Sequence, residues 1–177
     1  MKPKSFDYLK VASAEEAVIA LAQGGEDARI IAGGLSLMPM LNFRLAEPKI
    51  LIDISKVESL SYIRETSQHV EMGAATRQGD LMKWERLGQC LPLVAAACPY
   101  IGHYQTRAKG TVCGSLVHAD PSSELPLCLA VLGGEVDLQS SKGKRTLIAD
   151  EFQTGMLSTA KETDEMVVAA RYPVAKK

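Results

Sequence analysis

The sequence lacks a long hydrophobic run, a strong excess of charge of one sign and an abundance of aromatic residues. The longest apolar stretch, at residues 91–101, has about half the length of a membrane-spanning helix and includes two prolines. The N-terminus shows no basic start followed by an apolar segment and a cleavage site, so we expect a cytoplasmic protein without a membrane span. With 46% hydrophobic and 23% charged residues, the 177-residue chain has the composition of a globular protein rather than of a disordered or coiled-coil one.

Charge and cysteine content narrow the function further. The 20 Lys and Arg residues balance 21 Asp and Glu residues, giving a net charge of −1. Proteins that bind nucleic acids concentrate positive charge, because neutralising phosphates supplies much of their affinity, so we expect no nucleic-acid partner. The four cysteines form no C-x-x-C pair, and the three histidines form no i, i+4 pair. We therefore predict reduced thiols and no metal site.

Residues 1–55 are predicted to form a small α/β subdomain. Ser13 and Glu16 have the spacing of a helix capping box, and apolar residues then recur at positions 14, 17, 18 and 21. Gly24 and Gly25 are expected to end this helix. Two short apolar strands follow at residues 29–32 and 49–54, separated by a glycine turn and a short helix within residues 35–45.

Residues 56–177 are predicted to form a second, larger subdomain. We expect strands at 60–65, 69–74, 135–139, 145–149 and 165–171, and helices at 76–86 (capped by Thr76), 92–101 and 124–132. Residues 103–123 have little periodicity and many small or polar side chains, so this stretch is interpreted as a functional loop. The predicted class is α+β, with a small mixed sheet and a larger, mainly antiparallel one.

Two segments rich in small residues are the candidate binding elements. In the first, a strand leads into Gly33, Gly34 and Ser36. Glycines allow positive φ and close approach of a ligand, so consecutive N–H groups can surround an anion. The second, residues 110–115 (GTVCGS), again offers hydroxyls and accessible amides, and Asp120 and Glu124 after it are acceptors suited to sugar or polyol hydroxyls. Together they indicate a dinucleotide-like ligand.

Other interpretations of these residues stay open. Each glycine segment alone is also explained by a tight turn, and neither G-x-G-x-x-G nor G-x-x-x-x-G-K-[ST] occurs, which disfavours Rossmann and P-loop folds. Ser115, His118 and Asp120 have the residue types of a hydrolase triad, but their spacing does not assemble one locally. Cys113 is a candidate reactive thiol only if an anion-binding loop lowers its pKa.

The two segments also carry a family resemblance. Residues 32–44 (AGGLSLMPMLNFR) resemble the A-G-G-x-S-L-x-P-x-x-x-x-R signature of the medium, FAD-binding subunits of molybdenum hydroxylases, such as xanthine dehydrogenase and aerobic carbon monoxide dehydrogenase. Residues 105–121 (QTRAKGTVCGSLVHADP) resemble the second motif of that family, Q-I-R-N-x-G-T-I-G-G-S-x-x-x-A-D-P. The resemblance extends along essentially the whole chain. It departs from the family at Cys113, commonly a glycine, and at Ala108, frequently an asparagine.

This resemblance implies a two-subdomain PCMH-type FAD-binding fold and a set of cofactor contacts. Residues 32–37 and Thr111, Gly114 and Ser115 would hold the phosphate-bearing part of FAD. Asp120 and Glu124 would approach the ribityl chain, Ile101 the isoalloxazine ring, and Val167 would offer backbone contacts. The full set of cofactor-binding residues that we predict comprises Ala32, Gly33, Gly34, Leu35, Ser36, Leu37, Ile101, Gly110, Thr111, Cys113, Gly114, Ser115, Ala119, Asp120, Glu124 and Val167.

The resemblance also implies a role within a hetero-oligomer. Substrate would be oxidised at a molybdopterin centre on a large subunit, and [2Fe-2S] clusters on a small subunit would pass electrons to FAD on this chain. No residue here would then act as a general acid or base. Medium subunits commonly continue into a C-terminal domain, which we expect to be absent here. Two alternatives are a stand-alone flavin oxidase and a nucleotide-binding module without redox activity.

Overall fold

The computed structural model describes residues 2–175, which form two main sheets of different type and a small two-stranded hairpin. The smaller sheet has the strand order β1-β3-β2, and both of its strand pairs are parallel. The expectation of a mixed small sheet was therefore wrong. The elements of this part are β1 (Asp7–Lys10), α1 (Ala14–Gly24), β2 (Ala28–Ile31), α2 (Leu37–Asn42) and β3 (Ile50–Asp53).

Helix α1 follows the sequence prediction closely. The Ser13 hydroxyl oxygen accepts a hydrogen bond from Glu16 N at 3.2 Å, and Glu16 Oε2 accepts one from Ala12 N at 2.8 Å. These bonds satisfy N–H groups that a helix start leaves without partners. The predicted apolar positions are all buried: Ala14, Ala17, Val18 and Leu21. The helix ends at Gly24, and Gly25 takes the positive φ of 52° that its missing Cβ permits.

The larger sheet is antiparallel throughout, as predicted, and has the order β4-β5-β10-β6-β7. Its strands are β4 (Ile63–Glu65), β5 (His69–Gly73), β6 (Glu135–Ser140), β7 (Gly143–Ile148) and β10 (Met166–Pro173). A separate small hairpin, absent from the sequence prediction, pairs β8 (Gln153–Gly155) with β9 (Ser158–Thr159). Strand β10 lies at the centre of the larger sheet, and Val167, near its start, pairs with Leu138 of β6.

Short helices connect these strands: α3 (Gln78–Lys83), α4 (Leu87–Cys90), α5 (Pro92–Ala97), α6 (Tyr104–Lys109), α7 (Val112–His118), α8 (Glu124–Leu132) and α9 (Ala149–Phe152). The loop expected over residues 103–123 was wrong, because α6 and α7 occupy most of it. Helix α7 is stabilised by Thr111, whose hydroxyl oxygen accepts a hydrogen bond from Gly114 N at 3.0 Å. Helix α6 buries no residue, which explains why its sequence has no apolar periodicity.

One continuous core joins the two sheets. It contains the buried face of α1, the inner residues of β3 and the buried residues of β5, β6, β10 and α7. All four cysteines are free and buried in this core. In the described part of the chain, no helix is long and apolar enough to cross a membrane, and no cluster of His, Cys, Asp or Glu could hold a metal ion.

Candidate cofactor site

A cavity of about 570 Å³ lies where the two small-residue segments meet. Its volume falls within the range of roughly 300–1,000 Å³ typical of ligand pockets. Residues 32–37 line it on one side, and Gly110, Thr111, Cys113, Gly114 and Ser115 line it on another. The structure therefore brings together two segments that are separated by more than seventy positions in the sequence. A smaller cleft of about 250 Å³ shares Ala32 and Gly33 with this cavity and is also lined by Tyr8, Asp53 and Arg77.

The first segment, which lines the cavity, carries a row of backbone N–H groups without acceptors within the residues that the structure describes. Strand β2 ends at Ile31, and α2 begins at Leu37. Among residues 2–175, the N–H groups of residues 33–37 have no hydrogen-bond acceptor. Gly34 has a φ of 72°, a value that favours glycine, and its carbonyl accepts a hydrogen bond from Met38 N at 2.9 Å. Five adjacent donors of this kind suit an anionic ligand rich in acceptor oxygens.

Gly33 also determines how closely the two segments approach each other. A Cβ atom at this position would lie 2.2 Å from Lys109 O and 2.8 Å from the Cα of Gly110. Both distances are far below van der Waals contact, and both neighbouring atoms belong to the backbone. A side chain at Gly33 would therefore separate the first segment from the second, so this glycine is required for the shape of the cavity as well as for its donors.

The second segment contributes its backbone rather than the Cys113 thiol. Cys113 is 2% exposed, and its Sγ donates to Met72 O at 3.6 Å, on the core side of α7. Burial raises the pKa of the Cys113 thiol to about 12, because the charged thiolate would lose its hydration. The burial and the raised pKa both disfavour a reactive Cys113 thiolate. The side chain that replaces the family's common glycine points away from the cavity.

A third segment, residues 74–78, was missed by the sequence analysis and is hydrogen-bonded to the second segment. Gln78 N donates to Gly110 O at 2.8 Å, and Val112 N donates to Thr76 O at 3.0 Å. Gln78 also lines the cavity, as does Ala74. The expected helix-capping role of Thr76 was wrong. Its hydroxyl instead donates to Tyr62 O at 2.7 Å, and α3 begins two residues later.

Three further predicted residues, Ile101, Glu124 and Val167, also line the cavity, whereas two do not. Ala119 is the left-handed residue that ends α7, with a φ of 49°. The Asp120 carboxylate accepts hydrogen bonds from Ser122 N at 2.9 Å and from Ser122 Oγ at 2.7 Å. These bonds lower the pKa of Asp120. The contacts of Ala119 and Asp120 with a cofactor stay predictions, as do those of the lining residues.

The hydrolase arrangement finds no support in the side-chain geometry. In the part of the chain that the structure describes, no hydrogen bond links the side chains of Ser115, His118 and Asp120. The carboxylate that would orient the histidine is bonded to Ser122 instead. A proton relay needs direct hydrogen bonds from nucleophile to base and from base to carboxylate. These three residues therefore do not form a triad.

Charged residues that the sequence analysis did not single out also line the cavity: Arg29, Lys161 and Glu165. Lys161 Nζ donates to Glu162 O at 2.7 Å and to Glu165 O at 3.2 Å. Burial and the nearby Arg29 charge lower the pKa of Lys161. Arg145 holds the Glu165 carboxylate with two hydrogen bonds of 2.6 and 2.7 Å, which lower the pKa of Glu165.

The fold is that of an α+β domain, and its cavity has the size and the backbone donors that suit a nucleotide-like cofactor. The chain belongs to the family described as the FAD binding domain in molybdopterin dehydrogenase, which matches residues 4–175. FAD is therefore the cofactor of this domain. The residues present fit it, because free N–H donors suit a diphosphate and the cavity has the volume of a ligand pocket.

Individual relatives agree with the family assignment. The chain is 42% identical to the 6-hydroxypseudooxynicotine dehydrogenase complex subunit alpha of Paenarthrobacter nicotinovorans, over 98% of this chain and 58% of the relative. It is 35% identical to the caffeine dehydrogenase subunit beta of Pseudomonas sp. strain CBB1, over 98% and 59%. Reconstituted CO dehydrogenase from Oligotropha carboxidovorans matches with a TM-score of 0.96 and 36% identity, over 99% of this chain and 62% of the other. The chain thus spans about three fifths of these relatives.

Proposed function

We propose that the chain is the FAD-binding part of the medium subunit of a molybdenum hydroxylase-type dehydrogenase. The observation that carries this proposal is the common cavity of the two glycine segments, with five consecutive free N–H groups on its wall. Such a wall offers uncharged donors to a diphosphate, which agrees with the net charge of −1. The chain contributes binding, orientation and electrostatic environment, and the bound FAD supplies the redox chemistry.

The proposed contacts follow the predicted residues. Residues 32–37 hold the diphosphate together with Gly110, Thr111, Cys113, Gly114 and Ser115, of which Cys113 contributes backbone only. Glu124 and Asp120 accept hydrogen bonds from ribityl hydroxyls, with Ala119 beside them. Ile101 contacts the isoalloxazine ring, and Val167 offers its backbone. No residue of this chain takes the role of a general acid or base.

Its partners in this proposal are a large molybdopterin-binding subunit and a small [2Fe-2S] subunit. The names of the relatives support this, because the Paenarthrobacter nicotinovorans protein is a subunit of a dehydrogenase complex and the Pseudomonas protein is a subunit of caffeine dehydrogenase. Electrons from substrate oxidation on the large subunit would reach FAD through the iron–sulfur clusters and leave to an acceptor. We place this hetero-oligomer in the cytoplasm, which fractionation of the native cells tests. The boundary between the two subdomains at residue 55 is likewise a proposal.

Native purification tests the proposal and its two alternatives. We expect flavin absorbance and fluorescence that HPLC of the released cofactor assigns to FAD, together with co-purifying molybdenum and iron. Absence of bound FAD, combined with failure of the purified chain to take it up, would contradict the proposal and favour a nucleotide-binding module. Turnover of an organic substrate by the isolated flavin-loaded chain, without molybdenum or iron, would favour a stand-alone flavin oxidase.

A further inference from the structure

Gln78 has a buried side chain whose hydrogen bonding is incomplete. The residue is 5% exposed, and its Oε1 atom finds no hydrogen-bond partner within residues 2–175. Its Nε2 atom makes one long contact, donating to Thr111 O at 3.5 Å. A buried acceptor without a donor is destabilising, because it has lost its bonds to water without replacement. Native structures contain few such atoms, and each calls for a physical reason.

Because Gln78 lines the cavity, a ligand bound there could supply the donor that Oε1 lacks. Gln78 forms part of the cavity wall together with Ile101, Gly102, Thr106 and Gly110. Its amide lies close to Gly110, where an added Cβ would meet Oε1 at 3.1 Å. The terminal torsion of a glutamine has a broad energy profile, so rotation of the amide can turn Oε1 toward the cavity without moving the backbone.

We infer that Gln78 is a cofactor-binding residue whose Oε1 accepts a hydrogen bond from the flavin half of FAD. This inference rests on the proposed function, in which Ile101, which lines the same cavity as Gln78, contacts the isoalloxazine ring. The flavin half carries suitable donors, the imide N–H of the ring and the hydroxyls of the ribityl chain. A donor from the ligand would satisfy Oε1, which the protein alone leaves unpaired.

The test compares Gln78→Met with the wild type and with Gln153→Met. Methionine has nearly the same length and shape as glutamine but no acceptor oxygen of comparable strength. Gln153 is a matched control, because its Nε2 is also buried without a partner and it does not line the cavity. For each protein, the dissociation constants of FAD and of ADP, which lacks the flavin half, are measured by flavin fluorescence and calorimetry. The melting temperature is measured without ligand.

We expect Gln78→Met to weaken FAD binding about tenfold, as for the loss of one hydrogen bond of roughly 1.4 kcal/mol. Its affinity for ADP should match the wild type, and its melting temperature without ligand should not fall, since the orphaned acceptor has been removed. Gln153→Met should bind both ligands normally. Equal FAD affinities of Gln78→Met and wild type would overturn the inference, and so would an equal loss for FAD and ADP, which would indicate that Gln78 only positions Gly110 and Thr111.

Two further outcomes can be told apart from a failure of the inference itself: the wild type binds no FAD, or the variant does not fold. If the wild type itself binds no FAD, the proposed function fails, and the inference fails with it. If Gln78→Met does not fold, the wild type alone supplies the measurement through the NMR resonance of the Gln78 side-chain carbonyl carbon. A shift of this resonance with FAD and not with ADP supports the acceptor role, and an unchanged resonance with both ligands overturns it.

Discussion

At the residue scale, Gly33 combines two functions that constrain it independently. Its N–H is one of the free donors of the first segment, and its missing Cβ allows Lys109 and Gly110 to approach. Gly34 differs, because an added Cβ would meet only side-chain atoms, the nearest at 3.3 Å, and its constraint is instead its φ of 72°. The sequence alone could indicate that both glycines matter, but it could not distinguish these reasons.

Gly33→Ala should therefore lower both stability and cofactor affinity. We expect the free energy of unfolding to fall by about 1–3 kcal/mol, as for overpacking in a rigid environment. The dissociation constant of FAD should rise about 10- to 150-fold, corresponding to one lost charge-assisted hydrogen bond. Urea denaturation and flavin titration measure the two quantities. Gly88→Ala is the control, since an added Cβ there meets nothing within 4 Å; normal FAD binding by Gly33→Ala would contradict the assigned role of the segment.

Cys113 and Gln78 show what residue-level prediction misses. The sequence places Cys113 in a binding motif, yet the direction of its thiol depends on which face of α7 packs against β5. Gln78 lies in no recognised motif, and its contacts reach Gly110 and Thr111, more than thirty positions away. Contacts of this range depend on the tertiary fold, so composition and spacing give no signal for them.

At the scale of elements, the capping of α7 links local helix stability to the cavity. Thr111→Ala removes the acceptor for Gly114 N, and we expect it to lower the free energy of unfolding by about 0.5–2 kcal/mol. Because Thr111 and Gly114 both line the cavity, FAD affinity should fall as well. Thermal unfolding and flavin titration measure the two effects.

Two variants control this prediction. Thr111→Ser keeps a hydroxyl acceptor and should retain most of the stability and affinity. Ser13→Ala removes the corresponding cap of α1, so it should lower stability by a similar amount but leave FAD binding unchanged. If Ser13→Ala weakened FAD binding as much as Thr111→Ala, the effect would reflect general destabilisation rather than the position of the cap.

The elements that the sequence predicted correctly are those with local signals. Helix α1 has a capping box and an apolar face, and α8 (Glu124–Leu132) was predicted with its observed ends because Pro126 and the following apolar run mark it. Strand β1 was missed because all four of its residues are exposed and show no alternation. Helices α6 and α7 were taken for a loop, since α6 buries nothing and α7 is only seven residues long.

At the scale of the whole molecule, buried acidic groups predict that stability decreases in alkaline solution. Burial raises the pKa of Cys98 to about 11 and that of Cys113 to about 12, from an ordinary value of 9.0. It also raises the pKa values of Tyr62 and Tyr172. Above about pH 9 the unfolded chain ionises while the folded chain stays protonated. The unfolded state then binds fewer protons, so the free energy of unfolding falls as pH rises.

Urea denaturation at several pH values between about 7 and 11 measures this slope. Cys98→Ala should reduce it, because one of the groups with a raised pKa is gone. A free energy of unfolding that stays constant up to about pH 11 would show that these groups reach water in the folded protein.

The seam at which Gly33 meets Lys109 and Gly110 has a consequence for how holoprotein and apoprotein differ. Gly33 follows strand β2 of the parallel sheet, and Lys109 and Gly110 precede helix α7. A ligand bound at this contact would therefore touch both segments. By mass action, a ligand present at a hundred times its dissociation constant adds about 2.7 kcal/mol to folding stability. Loss of flavin would consequently lower the folding stability, and proteases should degrade the apoprotein faster than the holoprotein.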